Sequence, residues 1–336
     1  MRGAPAAGLT LLAVSAVLLF AANCGSSDPL PPYAQTDTLM ALTPDGAVAV
    51  MSHSHVLSVW DLKRGRCLQT LTGHKRRIAG VVVSPEGKWA VSGCEDKTIK
   101  VWDLGTGDCV ETITGHEGYI YGVAVTPDWT RVISASQDQT LRVCDLNTRR
   151  CLQNLAGHTS LVWAVAVTPD GKQALSGSWD STVKVWDLDS GVCLQTLEGH
   201  TSQVRSVAVT PDGTRAISGS ADATLKVWDL KTGECLHTLT GHKAHVVALA
   251  VTADGARVVS ASWDKSLKVW DLSTGACLQT IDCPEGARSV FLLRGDTQAM
   301  VGGEYGAVAT FDIGTPAPEA PAPPSPAAKS AAPVAP

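Results

Sequence analysis

Most of the chain alternates between short apolar stretches and clusters of Gly, Pro, Asp, Ser and Thr. The run Val162 to Val167 alternates and is rich in β-branched residues, which suits a strand. Pro169-Asp170-Gly171 then turns the chain, and Gln173 to Ser178 reads as a second strand. Asp180-Ser181 turns it again. Val183 to Trp186 is a third strand with clear alternation, and Cys193 to Leu197 is a fourth. The same sequence of strands and turns recurs along the chain, and no unit has room for a helix of ordinary length.

The recurrence has a fixed step. Trp-Asp stands at Trp60, Trp102, Trp186, Trp228 and Trp270, each pair of copies separated by 42 residues or a multiple of it. Cys144-Asp145 fills the gap, and a degenerate copy, Phe311-Asp312, comes one residue early. Gly-His keeps the step, from Gly73-His74 to Gly241-His242, and so does the Pro-Asp/Glu-Gly turn, in which Trp129 takes the place of Gly in the third unit. Four strands per roughly 40–45 residues with these signatures is a propeller-blade pattern. Over residues 38–313 the chain resembles the WD-repeat family. Seven copies then imply an all-β, seven-bladed β-propeller of four-stranded antiparallel blades. The family closes its ring by having the N-terminal segment supply the outer strand of the last blade. Here the seventh copy offers three strands, Arg288 to Leu293, Gln298 to Gly303 and Val308 to Ile313, so the fourth is expected from about Ser26 to Tyr33. That segment holds Pro29, Pro31 and Pro32, tolerable only on an edge strand, and an open ring is the alternative.

The two ends differ from the repeats. Arg2 precedes an uncharged stretch whose apolar heart, Leu9 to Ala22, has the length of a signal-peptide core rather than of a membrane span. Cys24 follows it in a setting similar to a bacterial lipoprotein signal, in which the Cys is lipidated. That signal has a large aliphatic residue three positions before the Cys and a small one just before it, whereas here stand Ala21 and Asn23. Lipidation of Cys24, ordinary cleavage nearby and an uncleaved anchor all stay open. Export is the common expectation, with a membrane tether in a bacterial envelope if Cys24 is lipidated. Residues 1–24 are thus read as the signal and 25–37 as an N-terminal segment. Residues 38–313 form the propeller, and 314–336 a disordered Pro/Ala-rich tail.

His, Ser, Asp and Trp recur together: His74, Ser92, Asp96 and Trp102; His158, Ser176, Asp180 and Trp186; His200, Ser218, Asp222 and Trp228; His242, Ser260, Asp264 and Trp270. Ser, His and Asp are the residues of a catalytic triad, but catalysis needs one site, not a copy in every blade. In WD-repeat proteins the matching residues form a buried hydrogen-bonded network, and that role is implied here. The third unit keeps His116, Ser134 and Asp138 but has Cys144 for Trp, so its network is expected to be truncated. Cys67, Cys109, Cys151, Cys193, Cys235 and Cys277 also follow the step. Copies on neighbouring blades lie too far apart for a disulfide, whose Cα atoms must come within about 7 Å. They are read as small apolar packers, and Cys94, Cys144 and Cys283 show no clear pairing. No metal site and no cofactor are expected.

The family binds partners on the face reached by the loops before the first strand and between the second and third. Those positions vary here while the framework repeats. They gather Arg77, Tyr119, Tyr121, Trp163, Trp179, Arg205, His245 and Trp263 on one face. Trp, Tyr and Arg dominate binding hot spots, although some of these rings can instead pack between blades. With a net charge of −5 the chain lacks the basic surface that nucleic acid requires. The expectation is therefore a monomeric, non-catalytic scaffold that binds protein or peptide partners. A small-ligand binder or enzyme using the central channel, and a structural envelope protein, are the alternatives.

Overall fold

The computed structural model describes residues 39–43, 46–293, 295–303 and 308–314. The readings of the signal, Cys24, the closing strand at Ser26 to Tyr33 and the tail from residue 315 fall outside them. Among the described residues, twenty-seven strands form seven antiparallel sheets and no helix occurs. Six sheets have four strands in sequence order, and the seventh has three, Ala287–Leu293, Gln298–Gly303 and Val308–Asp312. This is a seven-bladed propeller. In blade four the strands are Val162–Val167, Gln173–Ser178, Val183–Asp187 and Cys193–Leu197.

Burial follows strand position. The second strand of a blade is buried along nearly its whole length, as in Ala174 to Ser178, because neighbouring blades cover both of its faces. The outer strand alternates, and its outward leucines, such as Leu152 and Leu278, are exposed. Seven apolar clusters fill the seven seams between blades. Between blades one and two, Val50, Leu57 and Leu71 meet Ile78, Ala90 and Trp102. Between blades four and five, Leu175 and Val185 meet Val204 and Trp228. At the last seam Phe291 and Met300 of blade seven pack on Met40, Ala49, Met51 and Trp60 of blade one. Apolar contact thus joins the first and last blades without any strand from outside the described residues.

Two local features show why the repeat keeps its residues. Gly157 of the Gly-His pair has φ +156°, and a Cβ there would lie 3.2 Å from the Trp186 ring. Trp129, where the other blades have Gly, takes φ +57°. Its ring packs on the cluster between blades two and three, and this burial offsets the strain.

Candidate functional site

In blade four the His158 ring, buried to 0% side-chain exposure, bridges the second strand and the turn that follows it. Its Nδ1 lies 2.7 Å from Asp180 Oδ2 and its Nε2 2.7 Å from Ser176 Oγ. Trp186 Nε1–H donates to the same Ser176 oxygen at 2.8 Å. The order of donors follows from chemistry. A carboxylate only accepts, so Nδ1 carries the proton. Nε2 of the neutral ring then accepts from the Ser hydroxyl, and the Ser lone pair accepts from the indole. Asp180 Oδ1 also accepts from Thr182 N–H and O–H, and Oδ2 from Thr159 N–H. Ser176 is 0% exposed and its oxygen also takes the Trp186 indole, so the group is closed to solvent and its hydrogen bonds are used within the blade.

Blades two, five and six repeat the arrangement through His74, Ser92, Asp96 and Trp102, through His200, Ser218, Asp222 and Trp228, and through His242, Ser260, Asp264 and Trp270. Every link in them measures 2.7–2.9 Å. Burial pulls the His74 and His242 rings below their ordinary pKa, more than the adjoining Asp raises them. Burial alone would raise the Asp carboxyls. Hydrogen bonds from His, Thr or Ser and backbone N–H outweigh it and hold Asp96, Asp138, Asp180 and Asp222 well below the usual range and Asp264 at about 2. In blade two Cys94 stands where the others have Ser, bringing His74, Cys94 and Asp96 within 4.8 Å of one another. A metal needs the thiolate, and burial pushes the Cys94 thiol up to about 12. Its sulfur already accepts from Asp96 N–H and donates to the Arg76 carbonyl. His74 and Asp96 are thus engaged in blade two's network, and Cys94 takes the turn position that Ser178 holds in blade four.

Blade three holds His116, Ser134 and Asp138 in the same way, at 2.7 Å for both His contacts. The indole is missing, and Cys144 forms a disulfide with Cys151. This corrects the expectation of no pairing for Cys144 and the reading of the six repeated cysteines as apolar packers: Cys151 is bonded, and Cys109, Cys235 and Cys277 are exposed. In the register of the third and outer strands, Trp60 faces Cys67, Trp102 faces Cys109 and Trp186 faces Cys193, so putting Cys in place of Trp sets two cysteines opposite each other. Cys67 is disulfide-bonded as well. The spacing of seven residues was visible in the sequence, but equivalent cysteines had been compared between blades rather than within one.

The variable residues converge at the end of the blades where the inner strands begin. Tyr121 and Trp163 stack at 4.5 Å, and Trp163 and Trp179 at 5.7 Å. Tyr119 meets Tyr121 edge-on, and the Arg76 guanidinium lies 5.6 Å over Tyr119. From blade five, Arg205 reaches across both of its seams, 5.6 Å from the Trp163 ring, 5.4 Å from Trp179 and 4.9 Å from Trp263. Trp263 is also flanked by His245, at 4.6 Å, and by Arg288 of blade seven, at 4.9 Å. The result is a continuous arc of rings and guanidiniums from blade two to blade seven, half-buried except for the exposed Arg76 at its end. Arg77 is on the same face but is paired with Glu95 at 2.8 Å. At one end of the arc, beside Tyr119, Lys75, Asp96 and Gln137 line an open cleft of about 520 Å³.

Sequence reasoning missed Arg76 and Arg288. Arg76 stands in the basic run Lys75-Arg76-Arg77, in the loop before the first strand of blade two. Ala287 pairs with Gly303 as Val204 pairs with Ser220, so Arg288 occupies the register of Arg205. The one-residue shift already visible at Phe311 was the signal for it.

The model of the WD domain, G-beta repeat, family matches residues 65–103, 107–145, 149–187, 191–229 and 233–271. Among curated proteins, the chain is 58% identical over 36 residues to "Transcriptional repressor tup12" of Schizosaccharomyces pombe, covering 11% of this chain and 6% of that protein. It is 40% identical over 53 residues to "Nuclear distribution protein PAC1" of Ajellomyces capsulatus, covering 16% and 11%. To the protein of the same description from Mycosarcoma maydis it is 33% identical over 75 residues, covering 19% and 17%. The chain spans less than a fifth of the length of each of these relatives.

Proposed function

The chain belongs to the WD-repeat family, and from that premise we propose that it is a non-catalytic scaffold that binds a protein or peptide segment on the face carrying the arc from Arg76 to Arg288. The continuity of that arc is the observation that carries the reading. Rings that served only to fill seams would end at each seam, whereas these link one blade to the next on the side where the framework leaves side chains free to differ. Trp, Tyr and Arg are the residues enriched among those that dominate binding energy. The serines of the His-Ser-Asp groups are buried within their blades, out of reach of a substrate. The curated relatives, a transcriptional repressor and nuclear distribution proteins by name, fit a scaffold but share too little length to suggest a partner.

The test is a pull-down from native extract with the intact chain and with a Trp163→Ala, Trp179→Ala, Trp263→Ala variant of unchanged circular dichroism. Partners lost only with the variant support this face. Partners captured equally by both forms place the site elsewhere, and capture of none by either counts against a scaffold. Export is part of the proposal, and the Cys144–Cys151 disulfide is what supports it, since such bonds persist in oxidising compartments.

A further inference from the structure

We propose that the centre of this face, where Arg205 lies among Trp163, Trp179 and Trp263, is an anion-recognition point that takes a carboxylate side chain of an acidic peptide segment. The inference rests on the scaffold reading and names the chemistry of its partner.

Four observations lead to it. First, Arg205 is a cation without a counter-charge. Its Nη2 donates to the Gln203 amide oxygen at 2.8 Å, and among the described residues no carboxylate pairs with it. Second, a like charge stands close by, because Arg205 and Arg288 share the Trp263 ring, each 4.9 Å from its centre. Burial, and then the neighbouring Arg288, push the Arg205 guanidinium below its ordinary value, so the free protein bears a cost for keeping this charge. Third, hydrogen-bond donors there go unused. Trp179 Nε1, Trp263 Nε1 and Arg205 Nε are shielded from solvent and make no hydrogen bond with the protein. Elsewhere in the ring a buried indole is satisfied, as Trp102, Trp186, Trp228 and Trp270 are by their serines. Fourth, the walls are aromatic, so an acid placed there is poorly screened and meets a field stronger than on an open surface.

Indole N–H and guanidinium N–H only donate, so the complement of this group is an acceptor, and the charge of Arg205 makes that acceptor negative. The flanking rings Tyr121, Trp163 and Trp263 offer flat apolar contact to the rest of an extended segment. An acidic peptide meets both requirements, and arginine clusters reading acidic motifs are a recurrent mode of recognition. The net charge of −5 on the whole chain opposes such a partner only at long range, where salt screens it.

The test uses the full chain and two fluorescein-labelled decapeptides, one alternating Glu and Ala and the other with every Glu replaced by Gln. Binding is read by polarisation and by the indole N–H signals in nitrogen-15 spectra, assigned through Trp179→Phe and Trp263→Phe. The Glu peptide is expected to bind and to shift both signals, and the Gln peptide to bind at least about tenfold more weakly. Arg205→Gln removes that preference. Trp179→Phe with Trp263→Phe, which keeps the rings and loses only the donors, reduces it even if Arg205→Gln fails to fold. Equal binding of the two peptides, no binding of the Glu peptide, or a preference that survives in these variants overturns the proposal. In those cases a pull-down that still depends on Trp163, Trp179 and Trp263 leaves the scaffold standing. A Glu preference without any such pull-down removes the scaffold instead.

Discussion

Replacing Ser176 by Ala removes the one atom on which two buried partners converge. Ser176 is 0% exposed and Trp186 1%. Loss of the hydroxyl orphans the Trp186 N–H and the His158 Nε2 together. The ring cannot escape by moving its proton, because Asp180 requires it on Nδ1. Leaving a buried polar group unsatisfied costs about 1–3 kcal/mol, so the variant is expected to lose about 2–6 kcal/mol for its two groups. Blade three is an internal control. Ser134 is equally buried, but no indole reaches it, and Ser134→Ala orphans only His116 Nε2. Its cost should be about 1–3 kcal/mol. The assay is urea unfolding followed by far-ultraviolet circular dichroism, with slopes compared so that midpoints can be read as stability. If Ser134→Ala costs as much as Ser176→Ala, or if Ser176→Ala costs less than about 0.5 kcal/mol as an ordinary surface change does, the convergence on the serine is not what holds the blade.

Acid should loosen the ring in two stages. The His74 and His242 rings sit below the ordinary 6.5, so the unfolded chain takes the proton first and stability declines as pH falls through that value. The Asp carboxyls sit below the ordinary 3.8, with Asp264 at about 2, so a steeper loss follows under that value. Thermal melting from neutral to acid pH checks this, and a melting point that rises on acidification contradicts it. Cysteine labelling of the native protein should modify the exposed Cys109, Cys235 and Cys277 first. Cys94 and Cys283, which burial pushes up to about 12 and about 11, should react only on unfolding. Peptide mapping without reductant should recover Cys144 linked to Cys151, and separate peptides would refute that pairing.

The sequence carried the architecture because a propeller is local. Each blade is one contiguous run of about forty residues whose strands pair with their sequence neighbours, so the step of Trp-Asp and the turn at Pro169-Asp170-Gly171 placed strand after strand within a residue or so of their observed limits. The grouping of His158, Ser176, Asp180 and Trp186 was legible for the same reason. Relations between blades were harder to read. That Arg205 spans two seams depends on how far one blade is turned against the next, and no periodicity along the chain reports that angle. The closing seam, where Phe291 and Met300 lie on Met40 and Trp60, joins residues at opposite ends of the described chain. The disulfide needed register rather than spacing, because a bulge between Val143 and Cys144 brings Cys144 opposite Cys151.

The network and the variable face are mechanically linked while differing in sequence freedom. Asp180 is held by His158, by Thr182 and by the backbone of Thr159, which fixes the turn between the second and third strands. The residue just before it, Trp179, is anchored by its backbone alone, N–H to the carbonyl of Leu161 at 3.0 Å. The same bond holds Gln137 to Tyr119, Ala221 to Gln203 and Trp263 to His245. Because none of these anchors uses a side chain, the position before the Asp can be Glu, Gln, Trp or Ala without disturbing the turn. The first-strand residue that it contacts varies just as freely. A ring of nearly identical blades can therefore present a different pair of side chains at each step. Here Tyr119, Trp179 and Trp263 stand at these positions, beside Tyr121, Trp163 and Arg205 of the first strands. Uniformity in the buried polar network is thus what leaves the face free to be specific.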